Sequence, residues 1–364
     1  MNQEIKKIGI MTAGGDCPGL NPVIRSVVRT AIMKYGLEVV GFNHGYKGLY
    51  HNDVVPLTLD SISGILPIGG TMLYSSNKDN LFDYTVEENG KMVKKDVSDV
   101  GVENMKKNGI DAMIIIGGDG TLTSGRDFSR KGVKVVGVPK TIDNDLGCTD
   151  YTFGFDTAVS VACEAADRLH STALSHSRIM VLEVMGRYAG WIALNAGISG
   201  GADAILIPEI PYDINKVADV LKERAERGKN FSVVVVAEGA KPVDGDVFVS
   251  KTIDDSPDPI RLGGIGNVIA DQLEKLVGLE SRATILGHIQ RGGSPTSHDR
   301  ILSTRYGAAA VDLLMQGKHG VMVTLEGDKM SYASLEDVIG QNKAVDPEGE
   351  LVQVAKGIGI TFGD

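Results

Sequence analysis

Cysteine is scarce in this chain, which has only Cys17, Cys148 and Cys163 among 364 residues. Three scattered thiols are too few for a disulfide framework or a zinc site. The sequence also lacks an apolar run of membrane-spanning length, and its first residues lead into a strand without a signal-peptide core. These absences predict a cytoplasmic protein with no membrane partner.

Positive charge is in deficit, since 37 lysines and arginines face 47 aspartates and glutamates, for a net charge of −10. This balance argues against a nucleic-acid or anionic-membrane surface. Any anionic ligand must therefore be held by a local basic pocket. The chain also has no Gly-x-x-x-x-Gly-Lys-Ser/Thr loop, which excludes phosphate binding through that motif.

A length of 364 residues, 42% of them hydrophobic, predicts two domains with buried cores. Apolar runs predict strands at residues 7–11, 38–42, 112–116, 133–138, 179–184, 204–207, 231–237, 283–286 and 321–325. Periodic patterns predict helices at residues 22–33, 156–174, 214–227, 265–276 and 302–315. Strands that alternate with helices indicate an α/β fold with mostly parallel sheets. The polar stretches 85–99 and 243–259 are predicted to be surface loops or excursions.

Two glycine-rich turns follow predicted strands. They contain Gly14, Gly15 and Asp16 in the first turn, and Gly118, Asp119, Gly120 and Thr121 in the second. Glycine amides at a helix N-terminus form an anion site, although an ordinary strand-to-helix turn has the same composition. The Gly-Gly-Asp-Gly pattern also occurs in diacylglycerol kinases and NAD kinases, so it predicts a nucleotide-phosphate site without identifying the acceptor.

Residues 139–145 read Pro-Lys-Thr-Ile-Asp-Asn-Asp and follow the strand predicted at 133–138. They place a lysine, a hydroxyl and three consecutive acid or amide side chains where an α/β sheet presents its ligands. Such side chains repel one another without a metal or a substrate, and the alternative is an Asx-rich turn that caps a helix. With the second glycine turn, they supply the phosphate cradle, metal-holding acid, cation and proton acceptor that phosphoryl transfer needs.

Arginines mark further strand ends. Arg187 and Arg291 each follow an apolar strand between glycines, a placement that suits phosphate oxygens. Arg178 and Arg282 lie at or just before strand starts, where salt bridges at the rim are the alternative. Together with His288, this set in an acidic protein predicts a shared anionic substrate.

In combination these motifs resemble the 6-phosphofructokinase family. The resemblance runs from the first strand to about residue 314 and rests on Gly-Gly-Asp-x-Pro-Gly-x-Asn, Gly-Gly-Asp-Gly-Thr, Pro-Lys-Thr-Ile-Asp-Asn-Asp, Met-Gly-Arg and Gly-His-Ile-Gln-Arg-Gly-Gly. It implies two domains of three-layer α/β/α type with mostly parallel sheets and the active site in the cleft between them. Residues 1–154 plus 290–340 would bind the donor, and residues 155–289 plus 341–364 the sugar phosphate.

The resemblance implies Mg²⁺-dependent transfer of a phosphoryl group from ATP to the 1-hydroxyl of fructose 6-phosphate, by a homo-oligomer that is a tetramer or a dimer. Asp143 would be the catalytic base, Thr141 and Asp145 would position the reacting groups, and Asp119 would hold Mg²⁺. The donor would contact Gly14, Gly15, Asp16, Asn77, Lys78, Gly118, Asp119, Gly120, Thr121 and Lys140. The sugar phosphate would contact Thr141, Asp143, Met185, Gly186, Arg187, Glu238, His288 and Arg291, and Arg178 and Arg282 from a neighbouring subunit. For Glu238 a capping role is the alternative.

Two positions, Gly120 and Lys140, bear on the choice of donor, and Asn77 is a separate departure from the family pattern. In the family, a glycine at the place of Gly120 accompanies ATP use and an aspartate accompanies pyrophosphate use, so Gly120 favours ATP. Lys140 is the residue that pyrophosphate enzymes carry before Thr-Ile-Asp, although some ATP users carry it too. Asn77 stands where allosteric members have an arginine, with Lys78 as a substitute cation.

Three other functions are weighed against this prediction. A pyrophosphate-dependent fructose 6-phosphate 1-phosphotransferase is the first alternative. A catalytically inactive sensor of sugar phosphate or nucleotide is the alternative of another class, and the presence of Asp119 and Asp143 argues against it. The arginine–histidine set argues against an NAD- or lipid-directed kinase.

Two cysteines flank the predicted donor residues. Cys17 adjoins the first glycine turn, and Cys148 follows Asp145 by three positions. We hypothesise that both thiols lie near the donor site, where phosphate-binding amides and Lys140 would favour a thiolate. The alternative is two inert buried cysteines.

Overall fold

The structure is a computed structural model that describes residues 4–88, 90–252 and 260–364. These residues divide into two units, each with its own sheet. The first unit comprises residues 4–142, 146–154 and 291–341. The second unit comprises residues 143–145, the described part of 155–290, and 342–364.

The described strands, in chain order, are β1 (Lys7–Thr12), β2 (Glu38–Phe42), β3 (Val54–Pro56), β4 (Tyr84–Glu88), β5 (Lys91–Lys95), β6 (Ala112–Gly117), β7 (Val135–Pro139), β8 (Ile179–Val184), β9 (Ala204–Leu206), β10 (Ser232–Ala237), β11 (Val249–Thr252), β12 (Ile260–Leu262), β13 (Ser281–Ile285), β14 (Val321–Glu326) and β15 (Lys329–Ser334). The described helices are α1 (Leu20–Tyr35), α2 (Tyr46–His51), α3 (Ser98–Lys107), α4 (Asp119–Arg130), α5 (Phe155–His176), α6 (Trp191–Ser199), α7 (Ile214–Glu226), α8 (Ile265–Val277), α9 (Ser297–Met315), α10 (Leu335–Val338) and α11 (Glu350–Gly357), with a 3₁₀ helix at Gly287–Arg291.

The first unit is built on a seven-stranded sheet of order β15-β14-β7-β6-β1-β2-β3. Its five inner strands run parallel, and antiparallel strands β15 and β3 close the two edges. On β6, Met113 and Ile115 pack in one apolar cluster with Leu122 and Phe128 of α4. Ile114 between them is fully buried as well, so both faces of the strand are covered. Burial on both faces is what a parallel sheet between helical layers requires.

The second unit is built on a four-stranded parallel sheet of order β13-β8-β10-β9. Val234 and Val236 of β10 pack with Leu221 of α7 and Ile269 of α8. The alternate residues of β10 are also fully buried, and helices α5 and α6 contact the same strand. The predicted α/β fold is therefore confirmed.

The nine predicted strands are present as β1, β2, β6, β7, β8, β9, β10, β13 and β14, and the five predicted helices as α1, α5, α7, α8 and α9. Residues 85–99 form a surface excursion and not an irregular loop, because β4 and β5 pair there as an antiparallel hairpin and α3 begins at Ser98. Most of that hairpin is exposed, so no apolar alternation reveals it. The loop prediction for residues 243–259 misses β11, and residues 253–259 lie outside the described part of the chain.

In each unit, parallel strands place their carboxyl ends next to one another. The carboxyl ends of β1, β6 and β7 lie side by side in the first sheet, and those of β13, β8 and β10 lie side by side in the second. Open α/β sheets bind their ligands just beyond the carboxyl ends of their strands. Within the described residues, no helix is both long and apolar enough to cross a membrane.

Candidate active site

The turn after β1 lies against the ammonium group of Lys140, which follows β7. Lys140 is 4% exposed, and its Nζ donates a hydrogen bond to the carbonyl oxygen of Gly15. Gly14 has a φ of +82°, and a Cβ added there would lie 3.2 Å from Nζ of Lys140 and 3.4 Å from Oγ1 of Thr121. The segments that carry Gly14, Thr121 and Lys140 therefore converge. A buried cation beside a glycine turn suits a phosphate group.

Helix α4 begins directly at the end of β6. Gly118 is its N-cap and Asp119 its first residue. A Cβ on Gly117 would lie 2.3 Å from Cβ of Thr121, so only glycine permits this tight strand-to-helix turn. The N-terminus of a helix attracts anions, and here it opens beside the turn that holds Gly14.

Asp119 and Gly120 are exposed in the first turn of α4. Oδ1 of Asp119 accepts a hydrogen bond of 3.0 Å from the backbone N–H of Gly340. A Cβ added to Gly120 would meet no atom within 4 Å. The helix start therefore offers one anchored carboxylate beside open space.

A cavity of about 530 Å³ opens beside the first glycine turn. Five predicted donor residues line it: Gly14, Gly15, Asp16, Asn77 and Lys78. Five residues that sequence reasoning missed also line it: His44, Thr71, Tyr74, Ser75 and Ser76. Backbone hydrogen bonding fastens the two sides together, since the N–H of Gly14 donates to the carbonyl of Ser76 at 2.9 Å.

The segment that carries Thr141 and Asp143 is a fixed turn after β7. Lys140 forms a parallel bridge with Phe153, and Oγ1 of Thr152 donates to the carbonyl of Thr141 at 2.8 Å. Asn144 is buried with a φ of +53°. Helix α5 begins only at Phe155, ten residues after Asp145.

Asp143 and Asp145 are both half-buried. The carbonyl of Asp145 accepts a hydrogen bond of 2.8 Å from the N–H of Lys343, which holds this end of the turn within the second unit.

In the second unit, the turn after β8 is hydrogen-bonded to the turn after β10. The N–H of Glu238 donates to the carbonyl of Val184 at 2.9 Å, and the N–H of Gly239 donates to that of Gly186 at 3.1 Å. A Cβ on Gly239 would lie 2.1 Å from the carbonyl oxygen of Arg187. The structure therefore brings the predicted residues Met185, Gly186, Arg187 and Glu238 to one sheet edge.

Gln290 is a positioning residue that the sequence did not reveal. It lies in the 3₁₀ helix that follows β13, is fully buried, and accepts a hydrogen bond of 2.8 Å from the N–H of Met185 through Oε1. The same short helix carries His288, so His288 lies at the edge that holds Met185. In the sequence, the one signal for Gln290 is that it lies between His288 and Arg291 in the same motif.

Arg291 contacts the turn predicted to bind the donor. Its Nη1 donates to the carbonyl of Asp16 at 3.1 Å, and a Cβ on Gly15 would lie 3.0 Å from the same nitrogen. The sequence predicts Arg291 as a ligand of the sugar phosphate, so this guanidinium lies beside the other predicted set within the first unit.

Arg178 and Arg282 lie at the amino-terminal ends of β8 and β13, whereas Met185 follows the carboxyl end of β8. Arg178 forms an ion pair of 2.6 Å with Glu280, and Arg282 pairs with the same carboxylate and, at 3.6 Å, with Glu274. The hydrogen bond from Arg178 lowers the pKa of Glu280. The length of β8 puts about 20 Å between Arg178 and Met185, so one chain does not bring them together.

Comparison with known proteins agrees with this geometry. The phosphofructokinase family profile matches residues 7–314. The chain belongs to the phosphofructokinase family. Within this family, the chain is 69% identical to ATP-dependent 6-phosphofructokinase 2 of Clostridium perfringens, over all of both chains. It is 47% identical to a pyrophosphate–fructose 6-phosphate 1-phosphotransferase of Streptomyces coelicolor, over 98% of this chain and all of that one.

The fold is that of solved phosphofructokinases. The structure of phosphofructokinase from Saccharomyces cerevisiae superposes with a TM-score of 0.77 at 33% identity, covering 91% of this chain. The match spans 45% of the yeast chain.

In this phosphofructokinase, the described residues contain no group of three or more histidine, cysteine, aspartate or glutamate side chains that could hold a metal. Asp119 alone presents an exposed carboxylate at the helix start. Mg²⁺ usually binds one or two carboxylates, substrate phosphates and water. These residues therefore fit a Mg²⁺ ion that is held jointly with a phosphate donor.

The thiolate hypothesis is wrong for Cys17. Its side chain is fully buried, and loss of solvation raises the pKa of the thiol to about 12, a shift that Lys140 opposes but does not cancel. Cys148 is exposed, with Sγ 4.0 Å from Oε1 of Gln341. The two cysteines therefore differ in access to solvent.

We expect iodoacetamide at pH 8 to alkylate Cys148 in the folded protein and to leave Cys17 unmodified, because a buried neutral thiol is unreactive. Peptide mass spectrometry would give both labelling rates, and the same experiment in denaturant provides the control in which Cys17 reacts. Rapid labelling of native Cys17 would contradict this.

Proposed function

We propose that this phosphofructokinase transfers the γ-phosphoryl group of ATP to the 1-hydroxyl of fructose 6-phosphate, giving fructose 1,6-bisphosphate in glycolysis. The observation that carries the proposal is the full-length match to a relative named as an ATP-dependent 6-phosphofructokinase. The geometry supports it, because Lys140, the turn at Gly14 and the start of α4 converge at one sheet edge.

The proposal assigns the donor to the first unit. The backbone amides of Gly14, Gly15, Gly118 and Gly120, with the ammonium of Lys140, would hold its phosphates. Asp119 would hold Mg²⁺, which neutralises phosphate charge when bound. The donor set also includes Asp16, Asn77, Lys78 and Thr121.

The proposal assigns the sugar phosphate to the second unit, together with Arg291. Asp143 would accept the proton of the 1-hydroxyl, and Thr141 and Asp145 would orient the reacting groups. Arg187, His288 and Arg291 would bind the 6-phosphate region. Met185, Gly186 and Glu238 would contact the sugar. Gln290 would position Met185.

We further propose that the active enzyme is a homo-oligomer, either a tetramer or a dimer. Arg178 and Arg282 lie toward the opposite ends of the strands from Met185, which supports a role for them at the sugar phosphate of a neighbouring copy. A second copy would present them to it, and the pairs with Glu280 would hold both guanidinium groups ready in one cluster.

We expect Arg282→Ala to raise the KM for fructose 6-phosphate about 10-fold, the cost of a lost charge-assisted hydrogen bond, with little change in the KM for the donor. Arg227→Ala is the matched control, because Arg227 forms an exposed ion pair with Glu223 on α7. Steady-state kinetics would give both constants, and sedimentation would give the oligomeric state. A fully active monomer at assay concentration would refute shared sites.

Pyrophosphate as the donor is the second candidate. It is favoured by Lys140 in the phosphate cradle and by the Streptomyces coelicolor relative. Production of fructose 1,6-bisphosphate, measured separately with ATP and with pyrophosphate, decides between the donors. We expect a higher kcat/KM with ATP. A higher value with pyrophosphate would assign the second candidate, and no product with either donor would favour an inactive sensor.

A cytoplasmic location is part of the proposal. The three cysteines are all free, which agrees with a reducing compartment. Fractionation of cells that produce the chain at its natural level would test the location.

A further inference from the structure

Two aromatic rings form an exposed stack in the cavity beside the first glycine turn. The ring centroids of His44 and Tyr74 lie 4.8 Å apart with an interplanar angle of 13°. Tyr74 is 58% exposed, so most of its ring remains open to a further partner. Both side chains are exposed, and neither ring belongs to the apolar cluster that packs β6 against α4, so packing in that core does not account for the pair.

Both residues are held in an uncommon backbone conformation. His44 and Tyr74 each have a φ of +57°, a region that residues other than glycine seldom adopt. Hydrogen bonds fix them there, since the N–H of His44 donates to the carbonyl of Leu73 at 2.8 Å, and Oγ1 of Thr12 donates to that of Tyr74 at 2.7 Å. Strain that is held in place in this way clusters at functional sites.

The stack is anchored directly to the phosphate cradle. A Cβ on Gly45, next to His44, would lie 2.7 Å from the carbonyl oxygen of Thr12. On the other side, Oγ of Ser75 donates to the carbonyl of Gly14. The rings and the glycine turn are therefore joined by direct contacts and line one cavity.

We propose that Tyr74, backed by His44, is the stacking face for the base of a nucleoside polyphosphate, and that it contributes to donor choice alongside Gly120 and Lys140. The inference rests on the proposed function in that the donor phosphates occupy the turn at Gly14. Any nucleobase can stack on an aromatic ring, because every base has a flat π face. Stacking on His44 restrains the Tyr74 side chain before the ligand arrives, so little rotational freedom is lost on binding. Pyrophosphate has no base and gains nothing from this face.

Calorimetric titration with ADP tests the stack without requiring turnover. Tyr74→Ala is expected to raise the Kd of ADP about 10-fold, whereas Tyr74→Phe keeps the ring and should stay within about twofold of wild type. Tyr332→Ala is the control, because Tyr332 is 42% exposed on β15, at the other edge of the same sheet. Magnetisation transfer from the ring protons of residue 74 to the base protons of ADP should persist in Tyr74→Phe and vanish in Tyr74→Ala.

An ADP affinity that Tyr74→Ala leaves unchanged, or that Tyr74→Phe reduces equally, would overturn the stacking face whether or not the enzyme phosphorylates fructose 6-phosphate. Conversely, a selective loss of ADP affinity in a protein that makes no fructose 1,6-bisphosphate would support the stacking face while the proposed function failed. Thermal unfolding of each variant would confirm that the exposed substitution leaves the fold intact.

Discussion

Replacing Asp143 with asparagine is expected to lower kcat by about 10²–10⁴-fold, the usual cost of losing a general base. Asparagine has nearly the same volume as aspartate but cannot accept a proton from the 1-hydroxyl. The turn around it is fastened through its backbone, by Thr152 to Thr141 and by Lys343 to Asp145, so the replacement should keep its place. The loss should therefore appear in kcat, with little change in the binding of ATP or fructose 6-phosphate.

Asp328→Asn makes the same chemical change at an exposed position between β14 and β15, and it should leave kcat unaltered. Rapid-quench measurements would separate the chemical step from product release, and calorimetry would give both substrate affinities. A near-normal kcat in Asp143→Asn would show that another group accepts the proton. A fall in substrate affinity with an unchanged kcat would indicate that Asp143 only binds substrate.

Replacing Gly120 with aspartate is expected to abolish useful ATP-dependent activity without producing an efficient pyrophosphate enzyme. A Cβ at this position meets no atom within 4 Å, so the protein has room for the side chain. An acid in the first turn of α4 also complements the helix dipole, so stability should hold. Repulsion between the new carboxylate and a donor phosphate about 4 Å away is worth about 4 kcal/mol near a protein surface, or about 1000-fold in kcat/KM.

Gly120→Asn separates charge from size, since it adds the same volume without the negative charge. We expect it to retain much more ATP-dependent activity than Gly120→Asp. Weak pyrophosphate activity in Gly120→Asp would be compatible with Lys140 in the cradle, because pyrophosphate has no α-phosphate to meet the new charge. If the unmodified enzyme uses pyrophosphate better than ATP, Gly120 does not select the donor, and Lys140 matters more.

The sheets could be predicted because their strands are short apolar runs that are buried on both faces, as at Ala112–Gly117. Helix α4 escaped prediction because its first residues read as a glycine turn, and Gly120 and Gly125 lower its helix propensity. The hairpin of β4 and β5 escaped because it buries too little for a pattern to form. In both cases the local sequence pattern does not distinguish the element from a loop.

The glycine turns and Lys140 were predictable because each motif is contiguous in the sequence and follows a strand. The stack of His44 on Tyr74 was not, since thirty positions separate the rings and each lies in an ordinary-looking loop. The pairing of Arg178 with Glu280 likewise depends on β8 lying beside β13. Contacts of this kind are products of strand order, which a single sequence does not specify residue by residue.

The glycines at the strand ends differ in how much change they permit. Gly117 and Gly239 have no space for a methyl group, whereas Gly120 opens onto free volume. Substitution at Gly117 or Gly239 is therefore expected to disturb the framework, whereas Gly120, beside the proposed phosphate site, can accept a side chain at little cost to folding. A fold arranged in this way lets the residues beside the phosphates change one at a time, while each intermediate sequence still folds to a stable protein.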